Sequence, residues 1–187
     1  MIPLALGLGL WVTAHGLRTA APGFRARLDA SFGPQGGRVV MAAFIGLALV
    51  LIIWGYRLAP YIPLWTTPAW LIHVNNLLML VAVFVFGMSM SKGRTRSWLR
   101  HPMLTAVLIW AIAHLLVNGD VASLLMFGCL GAWALVEMAA ISTRDGPWTP
   151  PAPGTAAGDA RLVVITLVAF GLIVVVHTWL GHPPFAA

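Results

Sequence analysis

Residues 161–180 read Arg161-Leu-Val-Val-Ile-Thr-Leu-Val-Ala-Phe-Gly-Leu-Ile-Val-Val-Val-His-Thr-Trp-Leu180. One charge stands at the head, and only Thr166, His177 and Thr178 interrupt an otherwise apolar run. As a helix rising about 1.5 Å per residue, this stretch is about 30 Å long, the thickness of a bilayer's hydrocarbon core. It reads as a membrane span. Upstream, five more apolar runs lie at about 3–20, 39–56, 70–90, 103–117 and 121–140. The sequence therefore predicts an all-α, polytopic membrane helical bundle of six transmembrane helices, forming a single domain over residues 1–187.

Composition agrees with this reading. The chain is 60% hydrophobic and 9% charged, too few charges to cover a soluble domain's surface. Its mean hydropathy is +0.90. Six spans leave only short connections, with no room for a soluble domain. The net charge of +6 comes from basic residues that flank apolar runs without forming a stripe. It speaks for membrane topology and against a nucleic-acid partner. Cys129 is the single cysteine, which excludes an internal disulfide and any multi-cysteine metal site. No basic segment precedes the first run, whereas Arg18, Arg25 and Arg27 follow it; that order suits a retained span rather than a cleaved signal.

The connections carry their own signals. The stretch from Pro22-Gly23 to Gly33-Pro34-Gln35-Gly36-Gly37 reads as a basic loop. Residues 60–68, with Tyr61, Trp65 and three prolines, followed by Trp70, read as an interfacial aromatic segment. Asn118-Gly119-Asp120 marks a turn, and Pro102 suits the first turn of a helix. Pro147, Pro150, Pro151 and Pro153 make 146–158 a flexible or polyproline-like loop. Ten of the eleven Lys and Arg residues fall in connections 1–2, 3–4 and 5–6, and only Arg57 falls elsewhere. The positive-inside rule places those three connections in the cytoplasm and both termini outside.

Ionisable side chains within spans are costly and mark candidate sites. His15, His73, His114 and His177 fall in predicted spans; His101 and His182 fall at interfaces beside prolines. A buried imidazole can ligate a metal or haem, or hydrogen-bond a neighbouring helix. A site of two histidines and one carboxylate would need Asp120 or Glu137, both near span ends. Haem b fits the pattern better, since it needs axial imidazoles, an apolar cleft and basic or polar groups for its propionates. Arg18, Arg100 and Trp98 are the candidate propionate partners. His73 and His177 both lie near the outer ends of their spans and could also pair, and Asn75-Asn76 beside His73 could bond across helices or line a wet pocket. No Walker loop, Rossmann glycine fingerprint or nucleophile elbow is present.

The run Arg100-His101-Pro102-Met103-Leu104-Thr105, followed by Trp110-Ala111-Ile112-Ala113-His114-Leu115-Leu116-Val117-Asn118-Gly119-Asp120, resembles the NnrU family of bacterial membrane proteins. Ala14-His15-Gly16 and the segment from Ile53-Trp54-Gly55-Tyr56-Arg57 through Pro63-Leu64-Trp65 resemble it too, so the likeness covers residues 1 to about 137. The resemblance implies a bacterial inner-membrane protein associated with denitrification and nitric oxide metabolism. The same family includes 15-cis-zeta-carotene isomerase, a haem b enzyme whose iron is held by two histidines. The matching positions are His15 and His114, the implied axial ligands. The isomerase's pattern has a cysteine where this chain has Ala111, so exchange of a histidine for a thiolate is closed to it. In ideal upright helices, His15 and His114 would differ in depth by about 10 Å, which helix tilt would have to absorb.

Three functions follow as expectations. The first is a haem b protein serving nitrogen-oxide respiration. The second is a haem-dependent cis-trans isomerase of a carotenoid or other lipophilic polyene. The third is a haem-free accessory subunit whose histidines join helices. The lipid bilayer is the implied partner in each case, with another membrane subunit or a second copy as further candidates.

Overall fold

The computed structural model describes residues 1–185, apart from the side chains of Arg18, Thr19, Pro22 and Arg25. Six helices follow one another: α1 (Ile2–Ala20), α2 (Pro22–Arg57), α3 (Leu71–Met88), α4 (Pro102–Val117), α5 (Val121–Asp145) and α6 (Ala156–Trp179), with a short 3-10 turn at Arg94–Ser97. No strand occurs among the described residues, only the two isolated bridges Pro63–Asp120 and Gly93–Thr155. Four helices are long and apolar enough to cross a membrane: Ala26–Arg57 within α2, then α3, α5 and α6. The apolar parts of α1 and α4, Ile2–Leu17 and Pro102–Val117, are shorter.

Most predicted spans match a helix to within five residues at each end. The connection expected as a basic loop after the first span does not match. Residues 22–57 are helical, broken only at Gly33, whose φ of 71° and ψ of 163° no other residue type adopts readily. The segment before the break, with Phe24, Leu28 and Phe32 among arginines and alanines, holds good helix formers that the loop reading passed over. Pro34 follows the break, where a new helix tolerates its missing N–H.

The contacts divide the chain into two compact units: Met1–Leu64 with Asp120–Cys129, and Trp65–Gly119 with Leu130–Ala187. In the first, α1 and α2 run antiparallel and close together. A Cβ on Gly7 would stand 2.7 Å from the Ile52 nitrogen, and one on Gly55 would collide with the Leu4 backbone. Such small-residue approaches let helices pack where lipid supplies no hydrophobic drive. Leu4, Leu8, Ala48 and Ile52 are buried along this seam.

In the second unit, α3 packs against both α4 and α6. Val85, Met88, Ala106 and Leu162 form a buried cluster joining all three. The later part of α5 runs antiparallel to α4. The His101 ring meets Ser142 Oγ at 2.8 Å, Thr105 donates to Met138 Sδ at 3.8 Å, and Gly131 leaves room for Ala111. The proline-rich connection is pinned at its far end. Gly154 N–H donates to Gly93 O and Thr155 N–H to Lys92 O, while Asp159 accepts from the N–H and hydroxyl of Thr95. Side chains at Gly93 or Gly154 would strike this junction. Elsewhere α6 exposes Val164, Leu167, Val168, Leu172 and Val175, an apolar face suited to lipid.

Two substitutions separate packing from propensity. Gly46 has open space around it, so Gly46→Ala raises stability by about 0.5–1 kcal/mol through helix propensity. Gly55→Ala forces α1 and α2 apart and lowers stability by about 1–3 kcal/mol. Thermal unfolding in mild detergent should move the two midpoints in opposite directions.

Candidate functional site

The site follows from how polar side chains settle on apolar helices. His15, His114 and His177 share one device: the ring Nδ1 lies 2.9, 2.9 and 2.8 Å from the carbonyl oxygen four residues earlier, on Trp11, Trp110 and Ile173 respectively. A carbonyl only accepts, so Nδ1 carries the proton in each ring. In the neutral ring, Nε2 is then the nitrogen with a lone pair, the arrangement that outer-shell hydrogen bonds impose on metal-binding histidines. Two of the three also lie tilted against the tryptophan four residues back, with centroids 4.3 Å apart for Trp11–His15 and 5.2 Å for Trp110–His114. In the sequence these pairs stand as Trp-x-x-x-His, within the quoted run in α4 and again, not singled out there, in α1.

The second unit contains a cavity of about 430 Å³ lying along α3, α4 and α6. That volume is within the range of about 300–1,000 Å³ usual for ligand pockets. Met79, Ala82, Val83 and Phe86 line it from α3. Along α4 the lining runs from Ala106 and Val107 through Trp110 to His114, and along α6 from Ala169 through Ile173 to His177. Among the described residues no Asp, Glu, Lys or Arg lines it. The lining residues on α6 recur at helical spacing, continuing the stripe that begins at buried Leu162.

The other sequence-predicted residues are placed as follows. His15 belongs to the first unit, whereas His114 and His177 belong to the second and share the cavity. His73 is exposed at the start of α3, and its neighbours are buried: Asn75 donates to Asn76, and Asn76 donates to the Pro184 carbonyl at 2.8 Å, tying the C-terminal tail to α3. Arg100 and Trp98 precede α4, at the opposite end of that helix from His114, and Trp98 is largely exposed. The twelve residues from Pro102 to His114 rise about 18 Å. The Arg18 side chain lies outside the described residues. No group of three or more His, Cys, Asp or Glu side chains that could hold a metal ion occurs among the described residues. Ala111 is buried and faces Gly131 of α5, off the cavity lining.

A second buried polar cluster joins α2 to α5 within the first unit. Asp120 caps α5 by accepting from Ser123 N–H and Ser123 Oγ–H, so Tyr56 O–H donates to Ser123 Oγ at 2.8 Å. Asp120 is thereby engaged in holding a helix end.

Residues 3–184 match the family model described as NnrU protein. No curated protein and no solved structure matches the chain.

Two predictions follow from these clusters. Ser123→Ala leaves Asp120 and the Tyr56 hydroxyl short of a partner and costs about 1–3 kcal/mol, whereas Tyr56→Phe, which removes only the outer donor, costs about 1 kcal/mol; denaturation in detergent ranks them. His101, at the head of α4, is held below the ordinary imidazole range by burial and then by the Arg100 charge, with Asp145 acting the other way. The folded ring therefore binds fewer protons than the unfolded one, and the α4–α5 contact gains stability as pH rises through the imidazole range. An NMR titration of the His101 ring should show the depressed midpoint.

Proposed function

The chain belongs to the NnrU protein family, and from that premise we propose that it is an integral haem b protein of the bacterial inner membrane, associated with denitrification and nitric oxide metabolism. It crosses the bilayer six times with both termini periplasmic, the two shorter helices completing the set. The observation that carries the haem reading is the apolar cavity with His114 on its wall and that ring's Nδ1 committed to the Trp110 carbonyl. Such a hydrogen bond fixes ring orientation and raises the basicity of Nε2.

When bound, haem b supplies a redox-active iron that can take small ligands. His114 would offer Nε2 to it, with Trp110 holding the imidazole against rotation. Phe86, Val107 and Ile173 would exclude water from the macrocycle's faces, and a dry apolar shell is one of the levers that set a haem's potential. The resemblance pairs His114 with His15. Arg100 and Trp98 serve propionates only if these extend toward the head of α4, a helix length from His114.

Less supports a polyene isomerase, because Ala111 stands where the isomerase pattern has cysteine and faces α5 instead of the cavity.

An absorption spectrum of protein purified in detergent, after expression with added haem, tests the proposal. A Soret band is expected. His114→Ala should lower haem affinity by more than the about 10–100-fold that loss of an outer-shell partner costs. An unchanged spectrum in that variant would overturn the assignment of His114. No Soret band in either redox state would overturn haem binding and leave the accessory-subunit reading.

A further inference from the structure

We infer that residues 22–32, the part of α2 before its break at Gly33, form an interfacial helix that seats an aromatic stripe in the membrane surface and holds anionic phospholipid headgroups with the arginines beside it. The inference rests on the membrane reading of the chain and is independent of the haem reading.

Geometry turns this segment aside from the spans. The α1–α2 seam sets Leu4 against Gly55, and Gly7 against Leu51 and Ile52. Continued along both antiparallel helices, that register brings Ala20 level with about residue 39. Over its 19 residues α1 rises about 28 Å, close to the hydrocarbon thickness, so this level lies at the edge of the bilayer. The chain leaves α1 there and must come back to the same level within residues 22–38. As one straight helix that stretch would carry it about 26 Å away. The break at Gly33 prevents this. A Cβ on Gly37 would meet the Asp29 carboxyl and stand 3.4 Å from the Asp29 nitrogen. In an unbroken helix, residues that far apart are separated by about 12 Å. Residues 22–32 are therefore folded back beside the level where the two spans end.

The side chains suit that place. Phe24, Leu28 and Phe32 recur every fourth residue, and at about 100° per residue they form one stripe about 80° wide. Phe24 and Phe32 are exposed at 46% and 62%. Away from the stripe, Gly23, Ala26 and Ala30 are exposed but small. Positions 25 and 27 fall just beyond its two edges, and both are arginine. Arginine at the rim of an apolar face can lay its stem along that face and lift its guanidinium among headgroups, where the planar fork matches phosphate. Residues 18–38 carry Arg18, Arg25, Arg27 and Arg38 against one acid, Asp29, whose carboxyl is turned onto Gly37. A basic helix with an exposed aromatic stripe at this depth is complementary to an anionic lipid surface.

The test uses the full chain in phosphatidylcholine vesicles with and without phosphatidylglycerol. In a Cys129→Ser background, spin labels at Ser31→Cys and Leu47→Cys report depth through collisions with oxygen and with a water-soluble nickel complex. The label at 31 should meet oxygen more than nickel and lie shallower than the label at 47. Wild type should prefer phosphatidylglycerol in competition read by native mass spectrometry. Arg25→Gln with Arg27→Gln should weaken that preference by up to about five-fold per arginine, and the paired lysine variants should keep most of it. A label at 31 reached by nickel as freely as in water overturns the inference. So does one shielded from both reagents, which would mean that protein, such as a second copy, covers the stripe. An unchanged lipid preference in the double glutamine variant overturns it as well. If the label at 47 is also freely reached by nickel, the membrane reading fails and takes this inference with it.

Discussion

Within hydrocarbon, every polar group has to find its partner inside the protein, and the helical backbone is the partner always within reach. That constraint organises this chain at two levels. The main chain closes its hydrogen bonds within six helices. The side chains then turn back onto the same backbone: His15, His114 and His177 to carbonyls four residues earlier, and Thr178 to the Val174 carbonyl. For a threonine the result is a masked hydroxyl. For a histidine, which has two nitrogens, masking one defines the other. The interaction that makes the ring tolerable in an apolar helix is also the one that sets its tautomer.

The same constraint explains where non-helical backbone is allowed. The connection between α2 and α3 finds partners in the turn before α5, through Val121 N–H to Ile62 O and Trp65 N–H to Gly119 O. The stretch before α6 finds them around Lys92 and Gly93. Both junctions bring backbone against backbone, and both place glycine at the contact: a Cβ on Gly119 would meet the Trp65 carbonyl, and one on Gly154 the Lys92 carbonyl. Asp120, one of only five acidic residues, is spent on a helix end beside the first of these junctions.

Hydropathy made the spans legible because apolar length is a one-dimensional property, and helix ends at Pro102, Asn118 and Thr155 coincide with residues whose backbone chemistry stops or starts helices. The stretch 22–38 was misread because arginines and glycines suggest a loop, whereas Gly33 alone breaks the helix and its neighbours favour it. Six histidines could be counted, but the sharing of a wall could not. His114 and His177 are 63 residues apart in a sequence that does not reveal that α4 and α6 both pack on α3. Depth along a span, which the sequence does give, does not show which residues line one cavity. The decisive coordinate is the rotational face of each helix within the packed unit.

Position 111 shows the same distinction from the other side. In linear sequence Ala111 adjoins Trp110 and precedes His114 by three residues, so it seems part of one motif with them. On the helix it is turned about 100° from Trp110, and packing spends that rotation on α5, where Gly131 receives its methyl group. Its neighbours 106, 107, 110 and 114 line the cavity. A cysteine placed at 111 on this backbone would meet α5 before it met anything in the cavity. Reaching the cavity from position 111 would require rotating α4 as well as changing a residue, and Gly131, where an added Cβ would stand 3.2 Å from the Ala111 methyl carbon, keeps this face of α4 close against α5. The contact that turns position 111 onto α5 leaves residues 106, 107, 110 and 114 on the face toward the cavity.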